Sequence, residues 1–314
     1  MDATGPQMAC MEVWGGSQLV NHATAFGGLD VWVYSRPHGE STRGGDVVYA
    51  SSCATGRITR LMVADVAGHG HAVAATAADL RLLMRRFVNC LDQSELVRRL
   101  NQQFAALSSQ AAFATAVVAT YFAPTRRLTL CNAGHPRPLV YRAAKREWRF
   151  LGTHEATCAG PRNLPLGILD IADYDASDIE LDHGDCVLAY TDAVMESQDA
   201  DGEMLGEAGV LKILQLLGEV EPARLIQTLL DEIGERYPDN LAADDLTVMV
   251  VRATSRQMEY SLGDRFRAVG RVLRAAAGAW RPGAERPPLP DANLANLGGP
   301  MVPALQQRWR ARTR

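Results

Sequence analysis

No pair of cysteines in this chain has the CxxC spacing of a thiolate metal site. The six cysteines (Cys10, Cys53, Cys90, Cys131, Cys158, Cys186) stand singly among apolar neighbours. That argues against a zinc–thiolate centre and fits reduced thiols packed in a core. No apolar run approaches the roughly eighteen residues of a membrane helix. The opening MDATGPQMACMEVW lacks a basic region followed by an apolar one, so no secretory signal is legible. There is no internal repeat, and no Ser/His/Asp or Cys/His set that would supply a protein nucleophile. These absences predict a cytoplasmic, globular protein whose chemistry does not run through covalent catalysis.

What is present is enough for a sizeable core: 314 residues, 47% of them hydrophobic and 22% charged, suit one large domain or two modest ones. The net charge of -4 is unevenly spread. Residues 255–314 carry eleven arginines against Glu259, Asp264, Glu285 and Asp291, a balance of +7, which leaves -11 on residues 1–254. The basic segment therefore reads as a separate object.

Residues 1–27 show no clear period and read as an extension packed on the domain. Leu29–Ser35 alternates as a strand does. After a Pro/Gly loop, Gly44-Gly45-Asp46 leads into the strand Val47–Ala50, and Ile58–Val66 forms another beyond a turn at Gly56. This is an antiparallel hairpin pattern, which places Asp46 at the start of one strand beside Asp65 at the end of the next. Val73–Leu91 has helical spacing, and Asp92-Gln93-Ser94-Glu95 is an Asp-started capping box opening a second helix along Leu96, Leu100, Phe104 and Leu107. Strands return at Phe113–Phe122, Leu128–Asn132, Leu139–Tyr141, Trp148–Leu151, Ile179–Leu181 and Cys186–Tyr190. Helices follow over Leu205–Leu217 and from Pro222 to about Tyr237, then a final β-branched strand over Leu246–Val251.

Four aspartates stand at strand ends: Asp46, Asp65, Asp192 and Asp244. Singly, each reads equally as a turn former or a helix cap; Asp65 could simply cap the helix beginning near Val73. Collected in one pocket they would repel one another, and hard divalent cations with a taste for oxygen, Mg²⁺ or Mn²⁺, would relieve that repulsion. Two such ions balance four carboxylates in formal charge, and the centre could then accept a phosphate monoester.

Gly44-Gly45-Asp46, Asp65-Val66-Ala67-Gly68-His69-Gly70, Phe113-Ala114-Thr115-Ala116, Asn132-Ala133-Gly134-His135-Pro136, Leu166-Gly167, Tyr190-Thr191-Asp192 and Asp244-Asp245-Leu246-Thr247 occur in this order. The ordered set resembles the metal-dependent protein phosphatases of type 2C, most of all their bacterial SpoIIE-like branch, over residues 28–253. The resemblance implies an α+β fold: two packed antiparallel sheets flanked by helix pairs, an αββα sandwich, followed here by the basic extension 254–314. It implies a binuclear Mn²⁺ or Mg²⁺ centre in which Asp65 bridges both ions, the Val66 carbonyl binds one, Asp192 and Asp244 complete the other, and Asp46 binds directly or through water. Asp245 is the alternative should the last motif be offset by one. Asp65, Asp192 and Asp244 would then be the catalytic carboxylates, serving hydrolysis of phosphoserine or phosphothreonine by water activated between two metals. The implied setting is a regulatory circuit with a phosphoprotein substrate of the anti-sigma-factor-antagonist type. Input would come through the N-terminal extension, the basic tail or a partner, since no sensor precedes the catalytic part, and the helix pair Val73–Ser108 would be a switch element or an oligomer contact. A module that keeps the fold only to hold a phosphoprotein is the alternative.

Two departures stand out. Ala193 follows Asp192 where the family has glycine, which is tolerable only if φ is negative. Ala67 stands where eukaryotic members carry a histidine proposed as general acid, so leaving-group protonation falls to His69 or to a metal-held water, with His69 otherwise an exposed turn residue. Other local signals lead nowhere: Gly44-Gly45-Asp46 lacks the acidic-aromatic pair of a diguanylate cyclase turn. Asp199-Ala200-Asp201-Gly202 has Ser197 and Ala208 where an EF-hand needs ligands, so it reads as a surface turn. His69 and His71 lack a third ligand for zinc. His135 reads as structural, bonded to nearby backbone. The tail reads as a helix over Gln257–Trp280 docked on the acidic domain, with an anionic-membrane or nucleic-acid contact, or disorder, as the alternatives; no nucleic acid is expected as partner.

Overall fold

The structure is a computed structural model that describes residues 13–39, 41–52, 56–68, 71–107, 112–152 and 161–255. Two six-stranded antiparallel sheets stack face to face with helices outside each, the αββα arrangement implied above. The basic tail and its proposed helix, the loop carrying His69, and the first twelve residues lie outside the described residues. Among the described residues no helix is long and apolar enough to cross a membrane.

The first sheet runs β1 (Val13–Gly16), β4 (Asp46–Ser52), β5 (Ile58–Val66), β6 (Ala114–Phe122), β7 (Arg127–Ala133) and β10 (Ser177–Glu180). The second runs β2 (Val20–Phe26), β3 (Leu29–Arg36), β12 (Leu246–Ala253), β11 (Cys186–Tyr190), β8 (Leu139–Arg142) and β9 (Glu147–Phe150). Residues 13–26, expected only as a packed extension, thus supply an edge strand to each sheet. Gly15 allows the first of these contacts: its φ is +137°, and a Cβ there would lie 2.0 Å from the Val48 carbonyl oxygen.

Side-chain alternation sorts each strand between two cores. Val48, Ala50, Leu61, Val63 and Ala119 of the first sheet meet Val31, Val33, Val187, Ala189, Met249 and Val251 of the second in the space between the sheets. Val47, Tyr49, Met62, Ala64 and Val66, one residue out of phase, face α1 (His71–Phe87) and α2 (Gln93–Leu107). Leu188, Tyr190, Val248 and Val250 face α4 (Gly206–Leu217) and α5 (Pro222–Gly234), with the short α3 (Asp192–Glu196) between β11 and α4. Each fully buried large side chain is worth about 1.5–3 kcal/mol, so three continuous cores hold the layers. The predicted caps are in place: the Asp92 carboxylate accepts the Glu95 N–H at 2.8 Å, and Pro222 occupies the first turn of α5. Of the free thiols, Cys131 and Cys186 are buried and Cys90 is partly so.

One buried cation fixes the α1–α2 connection. Arg60, 2% exposed, points from β5 toward the helices. Its Nε donates to the Val88 carbonyl at 3.0 Å, and its guanidinium also reaches the Cys90 carbonyl, Thr120 Oγ1 at 2.6 Å and Gln93 Oε1 at 3.3 Å. Gln93 passes the polarity on to the Val118 carbonyl at 2.7 Å. Removing the guanidinium takes this donor from the Val88 and Cys90 carbonyls, while Gln93 keeps the Thr120 hydroxyl, so Arg60→Ala should cost about 3 kcal/mol. Thermal unfolding should register this as a fall of roughly 6–12 °C; a loss under about 1 kcal/mol would mean that the connection is held by something else.

Candidate active site

The space between the sheets is apolar for most of its length and turns polar at one end. On β5 the inward series Leu61, Val63 continues to Asp65; on β4 the inward series Ala50, Val48 continues to Asp46. These two aspartates are direct cross-strand partners, so their side chains leave the sheet on the same face as neighbours. Opposite Asp65 on β6 stands Thr115. From the second sheet, the inward positions beyond Met249 and Ala189 are Thr247, Asp245 and Thr191. Two register patterns carried one step past their apolar residues therefore build one acidic pocket.

Asp46 is 3% exposed. Thr191 Oγ1 donates to its Oδ2 at 2.9 Å, and Thr191 in turn accepts the Thr247 N–H at 2.9 Å, while Thr247 Oγ1 sits 2.8 Å from Ser35 Oγ. The other carboxylate oxygen of Asp46, Oδ1, is buried with no hydrogen-bond partner. Burial first, and then the neighbouring Asp65, push the Asp46 carboxyl well above the usual carboxylate range, against the pull of Thr247 and Thr191. Asp65 is pushed up to about 7, by burial first and then by Asp192, Asp244, Asp245 and Glu196. Asp192 is raised by burial and by Asp244. Asp65 thus links the set, acting on Asp46 and lying in the fields of Asp192 and Asp244, with Asp244 exposed.

Asp244 and Asp245 divide the work between them. Asp245 is 9% exposed and is occupied with backbone: it accepts the His38 N–H at 2.6 Å and the Gly45 N–H. It packs so tightly on Gly44 that a Cβ there would be 2.3 Å from Oδ2. Gly45 faces the Val66 carbonyl oxygen, 2.7 Å from where its Cβ would stand. Gly44-Gly45 is glycine because the Asp245 carboxylate and the Val66 carbonyl approach that closely. Asp244 accepts the Asp245 N–H at 2.7 Å.

Ala193 lies in the first turn of α3, and it is not among the residues with positive φ. The missing glycine therefore introduces no backbone strain. The His135 ring interacts with the Tyr190 backbone, and it makes a further contact that the sequence did not suggest. The backbone of His135 is clamped by Asn132, whose side chain takes the His135 N–H and gives to its carbonyl, both at 2.8 Å. The ring itself is directed into the site, with Nδ1 2.8 Å from Thr115 Oγ1. Asp199 forms a surface turn, its carboxylate accepting the Asp201 and Glu203 N–H groups at 2.9 and 3.1 Å.

Glu196 was missed in the sequence. It follows Asp192 by four residues on α3, hence on the same face, and burial together with Asp192 and Asp244 raises its carboxyl. The i, i+4 spacing was the available signal. Thr191 and Thr247 were also missed as supports of the Asp46 carboxylate.

The donor set suits hard divalent cations: carboxylate oxygens at mutual repulsion, one of them buried and unpartnered. Among the described residues no three carboxylate, histidine or thiol groups converge into a finished cage. The fit therefore rests on donor chemistry and charge.

A family model described as Stage II sporulation protein E (SpoIIE) matches residues 55–254. Among solved structures, the RsbU and RsbW domains of Rv1364c from Mycobacterium tuberculosis superpose with a TM-score of 0.59 at 22% identity, over 83% of this chain and 72% of that one. The PP2C phosphatase domain of SpoIIE from Bacillus subtilis, solved with a fragment of its regulatory domain, gives 0.58 at 15% identity over 78% and 64%. The catalytic domain of the serine/threonine phosphatase PstP, in complex with two manganese ions, gives 0.52 at 16% identity over 72% and 99%. At these identities the structures speak for the fold.

Proposed function

The chain belongs to the SpoIIE family of PP2C-type phosphatases, and from that membership and the geometry of its acidic pocket we propose that it is a metal-dependent protein serine/threonine phosphatase. What supports the reading is Asp65, paired across the strands with Asp46 and lying in the fields of Asp192 and Asp244, together with an Asp46 Oδ1 that is buried and unpartnered. Asp65, the Val66 carbonyl, Asp192, Asp244 and Asp46 would hold two Mn²⁺ or Mg²⁺ ions, as PstP does with two manganese ions. Bound there, such ions supply charge neutralisation for a phosphoryl group and a lowered pKa for water.

The chain's own residues do the rest. Thr191 and Thr247 hold the Asp46 carboxylate from the second sheet, so the two sheets are locked in register at the pocket. Asp245 holds the Gly44-Gly45 turn and so leaves Asp244 at the rim. Asp192, at the start of α3, and Glu196 one turn on add negative charge at the mouth. The catalytic unit runs from the strands at Val13 to Ala253, with residues 254–314 a separate basic segment that offers a partner surface. We place the chain in a cytoplasmic regulatory circuit, with a phosphorylated anti-sigma-factor antagonist as the class of substrate, a reading that rests on its family membership. Ala193 has no positive φ, so the missing glycine does not by itself favour the binding-module alternative.

Phosphate release from a phosphoserine protein should require Mn²⁺ or Mg²⁺, stop on addition of chelator and return when the metal is restored. Release that is indifferent to chelation would overturn the reading.

A further inference from the structure

His135 is 5% exposed and sits where the chain crosses from β7 of the first sheet to β8 of the second. The crossing is rigid: Asn132 clamps the His135 backbone at both ends, and Gly134, with φ of +65°, packs where a Cβ would lie 2.6 Å from Pro165 Cγ. A histidine enclosed this way stays neutral, and burial drives its pKa down to about 3. Neutral imidazole has one N–H and one bare nitrogen.

The surroundings decide which is which. The Tyr190 backbone acts on the ring and favours its protonated form; with Nδ1 engaged by Thr115, Nε2 is the nitrogen left to face it, although no bond of normal geometry forms there. A carbonyl can only accept, so the proton belongs on Nε2. Nδ1 is then bare and accepts the single hydroxyl proton of Thr115, 2.8 Å away. Thr115 is the cross-strand partner of Asp65 and leaves the sheet on the same inward face. A free threonine hydroxyl at that place would turn to the nearest carboxylate and occupy an oxygen of Asp65.

We propose that His135 is a positioning residue that ties up the Thr115 hydroxyl and so keeps both oxygens of Asp65 free for divalent cations. The inference rests on the metal-site reading above and deepens it. His135 touches neither substrate nor reacting atoms; it acts through Thr115.

The test is Mn²⁺ binding, read by calorimetry and by the electron-spin resonance of the ion, on the full chain. His135→Leu should weaken Mn²⁺ binding by about 5–20-fold, the scale of one hydroxyl hydrogen bond competing for an Asp65 oxygen. Thr115→Val should bind about as wild type does, and adding it to His135→Leu should restore most of the lost affinity, because the competing hydroxyl is gone. His135→Asn, whose Oδ1 can accept from Thr115, should retain binding. A His135→Leu protein that binds as wild type does, or a double variant as weak as His135→Leu, would overturn the proposal. Should His135→Leu fail to fold, the ¹⁵N spectrum of the wild-type ring decides: Nε2 protonated with Nδ1 bare is expected, and a ring protonated on Nδ1 sinks it. A wild-type chain that binds no Mn²⁺ would instead bring down the phosphatase reading itself.

Discussion

Asp65→Asn should abolish metal-dependent phosphate release while leaving the metal-free protein as stable as before or more so. The two halves of this result have one cause. Asp65 sits at the centre of the acidic pocket, in the fields of Asp192, Asp244, Asp245 and Glu196, and burial strips it of water. Its charge is a liability to the fold and an asset only to a cation. Asparagine keeps the shape and one acceptor oxygen but removes the charge. Even outer-shell partners of metal ligands cost about 10–100-fold when lost, so loss of Asp65, if it is a direct ligand as proposed, should cost roughly 100-fold or more in kcat/KM and in Mn²⁺ affinity together. A residue whose role was to hold the fold would behave in the opposite way: the variant would unfold at lower temperature, and residual activity would follow the folded fraction. Wild-type turnover from Asp65→Asn would remove Asp65 from the mechanism. A drop in activity matched by a drop in thermal stability would reduce it to a structural residue. Asp46→Asn should be milder in activity and close to neutral for the fold, because asparagine keeps an oxygen that can accept from Thr191 Oγ1, now 2.9 Å from Asp46, and loses a buried charge.

Much of this pocket could be read from the sequence because its central pair obeys the same alternation as the core. Val48 and Val63 face the inter-sheet space, and Asp46 and Asp65 stand two residues further along the same faces. Hairpin pairing between adjacent strands then brings them together without further assumptions. The order of motifs supplied Asp192 and Asp244, which come from the other sheet and which no local pattern could place beside Asp65. The residues missed are those whose roles exist only across the gap. Thr191 and Thr247 read as ordinary strand residues until Asp46 arrives from the opposite sheet. Asp245 looks interchangeable with Asp244 until Gly44 and Gly45 are packed on it. His135 read as a turn histidine because its backbone clamp, Asn132, is three residues away and visible, whereas Thr115 is twenty residues back. The edge strands β1 and β2 were passed over for a related reason. Their partners are β4 and β3, further along the chain, and Val13-Trp14-Gly15-Gly16 has too few β-formers to announce a strand by itself.

The pH dependence of stability offers the second large effect, and its sign separates a repulsive pocket from an indifferent one. The Asp65 carboxyl is raised from 3.8 to about 7 in the folded chain. Between those values the native state holds a proton that the unfolded chain has released. Stability contributed by protonated Asp65 is therefore full below about pH 4 and is lost as pH rises through about 7. The upper bound is on the order of 4 kcal/mol, at 1.36 kcal/mol per pKa unit. Asp46 and Asp192 are raised as well and act in the same direction. His135 works against them in the same window: its pKa is lowered to about 3, so it destabilises the fold as pH falls below its unfolded value near 6.5. A raw melting curve against pH mixes these opposed slopes. The difference between wild type and Asp65→Asn isolates the carboxylate. In chelator, the advantage of wild type over the variant should shrink and then reverse as pH rises from 4 to 7, by several degrees of Tm given about 2–4 °C per kcal/mol for a chain of this size. Excess Mn²⁺ should invert the trend, because a cation binds only the ionised form and its contribution grows with pH over the same range. Parallel curves with and without Mn²⁺ would mean that Asp65 is neither strained by its neighbours nor a ligand, and the acidic pocket would then have no cation to serve.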